Sequence, residues 1–165
     1  MIVVTVNYRL DAFGFMYGGT EDAPGNQGLH DQILALKWVQ ENIARFGGNP
    51  HSVTLFGESA GSFSTSALIL SPLTKGLFKR AIMQSGATNS WLGSRPAEQA
   101  LDGTKSLAEK LHCKDESMTK TLACLRNKTV NEILAATSNA LADGESYIPV
   151  YGTKIGHGAD VLPLP

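Results

Sequence analysis

Apolar and β-branched residues come in short unbroken runs at the start and middle of the chain and in longer periodic stretches between and after them. Ile2 to Tyr8 is almost wholly apolar or β-branched, the pattern of a parallel strand covered on both faces, since a half-exposed strand would alternate. Arg9 to Phe15 leaves that strand, and Gly18 to Gly28, with Asp22, Pro24, Gly25 and Asn26, predicts a surface loop. From Leu29 the period changes. Leu29, Ile33, Leu36, Val39 and Ile43 recur at spacings of four and three, which places them on one face of a helix while Gln32, Lys37, Gln40 and Glu41 mostly face away. Trp38 lies beside the stripe and is assigned to the core. Phe46-Gly47-Gly48-Asn49-Pro50 stops the helix by glycine capping followed by proline.

Ser52 to Phe56 is a second β-rich run, Ser62 to Leu70 follows without Gly or Pro and predicts a helix, and Arg80 to Gln84 predicts a third strand. Over the first half of the chain, the Ile2–Tyr8 strand, the helix from Leu29 and the strand ending at Phe56 favour parallel pairing in a right-handed unit. Helices are expected from Pro96 to about His112 and from about Ser117 to Arg126. A third opens at Thr129-Val130-Asn131-Glu132, whose Thr and Glu fit a capping box. Beyond Ala142 glycines and prolines predict irregular structure. The fold class is therefore α/β, a mostly parallel sheet with flanking helices. Residues 1–165 read as a single incomplete domain: a sheet core over 1–95, a helical segment over 96–140 and an irregular one over 141–165. Three fully buried strands do not complete such a sheet, because each needs helices on both faces and the edges need cover.

Composition excludes several function classes. The net charge is −1 with acids and bases interspersed, so no electrostatic footprint for nucleic acid is present. No apolar run reaches the roughly 20 residues that span a bilayer, and no signal peptide opens the chain. No cofactor or metal is expected: Cys113 and Cys124 have no CxxC or His-pair context. They read as a local disulfide, with free buried thiols as the alternative. Asn127-Lys128-Thr129 is a glycosylation sequon in a break between helices. Disulfide and sequon together point to the secretory pathway.

The chemistry centres on Gly57-Glu58-Ser59-Ala60-Gly61. A Gly-x-Ser-x-Gly sequence between an apolar strand and a small-residue helix is the pattern of a nucleophile elbow, in which the serine sits in a strained turn at the carboxyl end of a strand. Ser59 is the expected nucleophile. Gly57 and Gly61 are expected to lack side chains because helix and strand nearly touch. The Ala60 N–H, first in the helix and at the positive end of its dipole, would be one oxyanion donor. An ordinary Gly-rich turn is the alternative to this reading.

The motifs together resemble one family, the type B carboxylesterases and cholinesterases of the α/β-hydrolase fold. The resemblance is carried by Asn7-Tyr8-Arg9, Ala12-Phe13-Gly14-Phe15, Ala23-Pro24-Gly25-Asn26, Gly28-Leu29 with Asp31-Gln32, Trp38-Val39, Phe46-Gly47-Gly48, Val53 to Gly61, Ser71-Pro72, Arg80-Ala81-Ile82 and Gln84-Ser85-Gly86. It implies a partial α/β-hydrolase fold and hydrolysis of a small-molecule carboxylic ester through an acyl-serine at Ser59, in a protein secreted or held in the ER lumen. It implies a Cys113–Cys124 disulfide, a structural ion pair between Arg9 and Asp31, and an acyl-pocket position near Trp91, which is otherwise a core residue. Glu58 falls where the family has an acid tuning the site's electrostatics without belonging to the triad; a buried structural carboxylate is the other reading. The triad in this fold runs Ser, Asp or Glu, then His, and the resemblance places its acid and His downstream of this chain and the other oxyanion donors upstream. The chain alone is therefore expected to turn over little substrate. Glu145 and His157 are rejected as a triad because they fall in a segment matching an upstream part of the family. His30, His51 and His112 read as surface residues. Asp11 replaces a residue often glycine in the family, with no account from sequence. An adhesion or binding member of the same family is the rival reading, and a lipase or peptidase of the same fold class is the third. Oligomeric state is left open.

Overall fold

A computed structural model describes residues 1–90, 93–138 and 147–151. Trp91, Glu145 and His157 lie outside the described residues. The elements in chain order are α1 (Asp11–Phe15), β1 (Tyr17–Thr20), β2 (Ala23–Pro24), α2 (Gln27–Asn42), β3 (Thr54–Glu58), α3 (Ala60–Leu70), β4 (Arg80–Gln84), β5 (Arg95–Pro96), α4 (Ala97–Lys110), α5 (Met118–Arg126), α6 (Val130–Thr137) and β6 (Val150–Tyr151). Helices with a parallel strand pair make the chain α/β, as expected.

β3 and β4 pair in parallel from Thr54↔Arg80 to Glu58↔Gln84, and α3 crosses between them. The parallel pairing expected between Ile2–Tyr8 and the strand ending at Phe56 is not formed among the described residues. α2 buries Leu29, Ile33, Leu36 and Val39, with Ile43 in the tight turn that ends it. Against this stripe pack Phe15, Ala67 and Leu68, forming the main core. Trp38 is a correction: it is 45% exposed, because it stands one turn beyond exposed Leu34 on the outward face of α2. Its ring meets Phe46 at a centroid distance of 5.9 Å instead.

Ile2 to Tyr8 also departs from expectation. Its backbone enters no ladder among the described residues, and Ile2, Val3, Val4 and Val6 are all at least 40% exposed. β-branched side chains make a segment fit a pleated surface, but a strand is held by a partner's N–H and C=O groups. β3 uses one edge on β4, and its other edge takes no strand among the described residues.

Two short pairings were not expected. The stretch read as a loop holds the antiparallel β1–β2 hairpin, and β6, inside the segment read as irregular, pairs in parallel with β5 through Arg95↔Val150. Asn26 ties the two regions together. Its side-chain amide donates to the Val150 carbonyl and accepts from the Val150 N–H, both at 2.7 Å and both buried. Asn26 itself has φ +62, a conformation that asparagine tolerates better than most residues.

The helices after residue 96 form a second core of Leu107, Ala108, Leu111, Cys113 and Leu125 with Ala12. Pro96 precedes α4 as its N-cap, one position before its expected place. Cys113 and Cys124 form a disulfide with Cα atoms 5.5 Å apart. The capping box of α6 is present. Thr129 N–H donates to Glu132 Oε2 at 2.8 Å, and Glu132 N–H donates to Thr129 Oγ1 at 3.3 Å. The Thr129 contacts hold the Glu132 carboxyl below its usual range. Asp11 gains an account as well: it sits at φ +52, where glycine is the unstrained residue, and its carboxylate accepts a hydrogen bond from Thr137 Oγ1.

Candidate active site

The site is built at the junction of β3 and α3. Ser59 is the N-cap of α3 with φ +50 and ψ −115, a conformation that costs a non-glycine residue about 1 to 3 kcal/mol and persists only where its surroundings fix it. Three contacts do so. Ser59 N–H donates to Gln84 O at 2.9 Å, extending the β3–β4 ladder by one bond. Its carbonyl accepts from Ser62 N at 2.9 Å and Phe63 N at 3.0 Å, the first bonds of α3. The Ala60 N–H, opening the helix, has no intrahelical acceptor and lies at the positive end of the dipole.

The two glycines of the motif are not equivalent. A Cβ on Gly57 would land on the Gly61 carbonyl, whereas a Cβ on Gly61 meets open space. The close approach of strand to helix thus falls on Gly57, and it is the backbone of Gly61 that Gly57 makes room for.

The loop after β4 completes one wall. Ser85 has φ +64, and Ser62, fully buried, donates from Oγ to Gly86 O at 2.6 Å. Farther along α3, Ser66 Oγ accepts from Thr88 N at 3.1 Å, and Ser94 Oγ donates to Thr88 O at 3.0 Å. Ser62 and Ser66, which fix this loop, were missed from sequence. The available signal was serine at alternate positions, 62, 64 and 66, in a helix whose other residues, Thr65 apart, are small or apolar. Ser64 faces a third direction and accepts from Gln32 Nε2 at 3.1 Å.

Glu58 ends β3 in register with Gln84 and is exposed, as are Ser59 and Ala60. Among the described residues no imidazole hydrogen-bonds the Ser59 hydroxyl. No group of His, Cys, Asp and Glu there could hold a metal ion, and no helix is long and apolar enough to cross a membrane.

Arg9 and Asp31 meet at the start of α2. The guanidinium forks onto both carboxylate oxygens, at 2.8 and 2.7 Å, and Arg9 N–H adds a third bond at 3.1 Å. The hydrogen bond to Arg9 holds the Asp31 carboxyl below its usual range, and Asp31 raises Arg9 in return. With the Arg9 side chain 54% exposed, solvent screening keeps the pair a modest fastening of chain to helix. Desolvation lowers the His30 pKa.

The sequence model of the carboxylesterase family matches residues 1–164. The chain belongs to that family. Acetylcholinesterase-1 of Trittame loki is 51% identical over 132 residues, 76% of this chain and 23% of the relative. The cholinesterase of Mus musculus is 50% identical over 135 residues, 81% of this chain and 22% of the relative. Liver carboxylesterase 1 of Oryctolagus cuniculus is 50% identical over 141 residues, 83% and 24%. The chain thus spans about a fifth to a quarter of the length of these curated relatives. Within the carboxylesterase family framework, the described residues bring together Ser59, Ala60, Gly57, Gly61 and Glu58 at one turn. Arg9 with Asp31, and Cys113 with Cys124, form separate contacts of their own.

Proposed function

We propose that the protein containing this chain hydrolyses small carboxylic esters by double displacement through an acyl-Ser59 intermediate. The observation that carries this is the strained Ser59 between the end of β3 and the first N–H of α3. In this reading Ser59 Oγ attacks the ester carbonyl as a base removes its proton, and the carbonyl oxygen becomes an oxyanion that accepts from the Ala60 N–H. The proton passes to the departing alkoxide. Water then adds to the acyl-serine, and the acid leaves as Oγ regains its proton. Glu58, one residue before the nucleophile, contributes negative charge to the site. Base, orienting acid and remaining oxyanion donors come from parts of the protein other than this chain, so the 165 residues alone turn over little substrate. No metal or organic cofactor takes part. The disulfide supports a secreted or ER-lumenal protein, since cross-links persist in oxidising compartments.

The test is labelling with a fluorophosphonate probe, on the full-length protein and on this chain, each beside Ser59→Ala, followed by peptide mapping. Labelling of the full-length protein at Ser59 and its loss in the variant is the expected result. A folded full-length protein that does not label would sink the esterase reading and leave a binding member of the family.

A further inference from the structure

The geometry points to Asn127 as an N-glycosylation site, the acceptor of an oligosaccharide from a lipid-diphosphate donor. Asn127-Lys128-Thr129 is the one Asn-x-Ser/Thr sequence with x other than proline in the chain. The structure makes the position usable. Asn127 and Thr129 are both exposed, in the short link between α5 and α6. Asn127 Nδ2 donates to Ala123 O at 3.1 Å. A carboxamide nitrogen has two hydrogens, so replacing one by a sugar leaves the other for this bond, and α5 keeps its C-terminal contact. The neighbouring outer face of α6 leaves Val130 58% and Leu134 46% exposed, apolar surface that an adjacent glycan would help to shield.

The Cys113–Cys124 disulfide is an independent observation about compartment. Its second cysteine lies on α5 shortly before Asn127, and such a cross-link belongs where thiols oxidise, the compartment in which eukaryotic cells hold lipid-linked oligosaccharides. In the transfer, Nδ2 bonds to the anomeric carbon and loses a proton to an enzyme base. The anomeric C–O bond breaks and the lipid diphosphate leaves. Timing follows from the cap. In the folded protein the Thr129 hydroxyl donates to Glu132 Oε2 at 2.7 Å and accepts from Glu132 N–H. The transferase must therefore read the sequon before α6 closes on it, during synthesis rather than after folding.

The experiment expresses the full-length protein in animal secretory cells. The peptide carrying residue 127 is mapped by mass spectrometry after enzymatic deglycosylation in ¹⁸O water. Wild type and Thr129→Ser, which keeps both the cap and the sequon, are expected to carry the glycan. Asn127→Gln is expected to lack it and to migrate faster by one glycan. Translation of the same chains into microsomes gives the readout without requiring the final fold. An unmodified Asn127 in secreted wild type with an oxidised Cys113–Cys124 bond would overturn the assignment.

Discussion

The β3–α3–β4 unit and the α4–α6 unit hold their chains in place by opposite means. The first is built on long-range hydrogen bonds onto backbone carbonyls and amides: the ladder from Thr54↔Arg80 onward, Ser59 N–H to Gln84 O and the Ser62 Oγ side chain to Gly86 O. These hold Ser59 in strain while Phe56 and Ile82 stay 60% and 52% exposed. The second uses local devices, a disulfide over a short loop and a reciprocal cap, and has a largely self-made core. The difference teaches where strain can be kept. A serine held at positive φ needs partners fixed from elsewhere in the chain, whereas a helical block needs only to stay folded.

The sharpest way to break this comparison is at the elbow. Gly57→Ala drives a methyl into backbone that cannot yield, and is expected to destabilise by about 3 kcal/mol or more and to abolish labelling at Ser59. Gly61→Ala, with open space for its methyl, is expected to fold normally and to gain up to about 1 kcal/mol from helix propensity. Denaturant unfolding of both variants checks the pair. Equal losses would show that the helix approaches the strand differently.

Removing the staple should act on the other half. Cys113→Ser with Cys124→Ser is expected to cost roughly 3 kcal/mol by chain entropy. Hydrogen exchange should rise over α4 to α6 while β3 and β4 keep their protection. A smaller effect probes the bond from Thr137 Oγ1 to Asp11. Thr137→Val is expected to cost about 1 to 2 kcal/mol, because it leaves the Asp11 carboxylate without this donor. In an Asp11→Gly background the same change should cost much less, which a double-mutant cycle measures.

The smallest effect is at Arg9–Asp31. The Asp31 pKa is lowered in the folded protein, so its contribution is full above the ordinary aspartate value of about 3.9 and is lost as pH falls through the lower folded value. Asp31→Asn is expected to remove less than about 1 kcal/mol at neutral pH and to flatten the acid limb of stability. Urea titrations carried down in pH read both.

What could be read in advance divides along the same line. The α2 stripe, the β3 and β4 runs and the Thr129 box were legible because each depends on residues within a turn or two of one another. The disulfide was legible as a local pairing of two cysteines close in sequence, which the family resemblance reinforced. Ile2 to Tyr8 was misread because composition reports fitness for a strand and not the presence of a partner. Trp38 was misread because its neighbours on the helix wheel do not say which faces a fold covers. The β5–β6 pair and the Asn26 clasp are long-range, joining residues around 95 and 26 to Val150, so no local pattern announces them. Asp11 was flagged as unusual but not explained, since a left-handed φ leaves no mark on periodicity.

The Asn26 clasp sets a clock on biosynthesis. Asn26 and Val150 are 124 residues apart, so a ribosome adding roughly 5 to 20 residues per second needs about 6 to 25 s between them. Through that interval the Asn26 amide has no Val150 to hold, and β5 has no β6. The first part of the chain must wait, solvated and unfinished, for its last described strand to emerge.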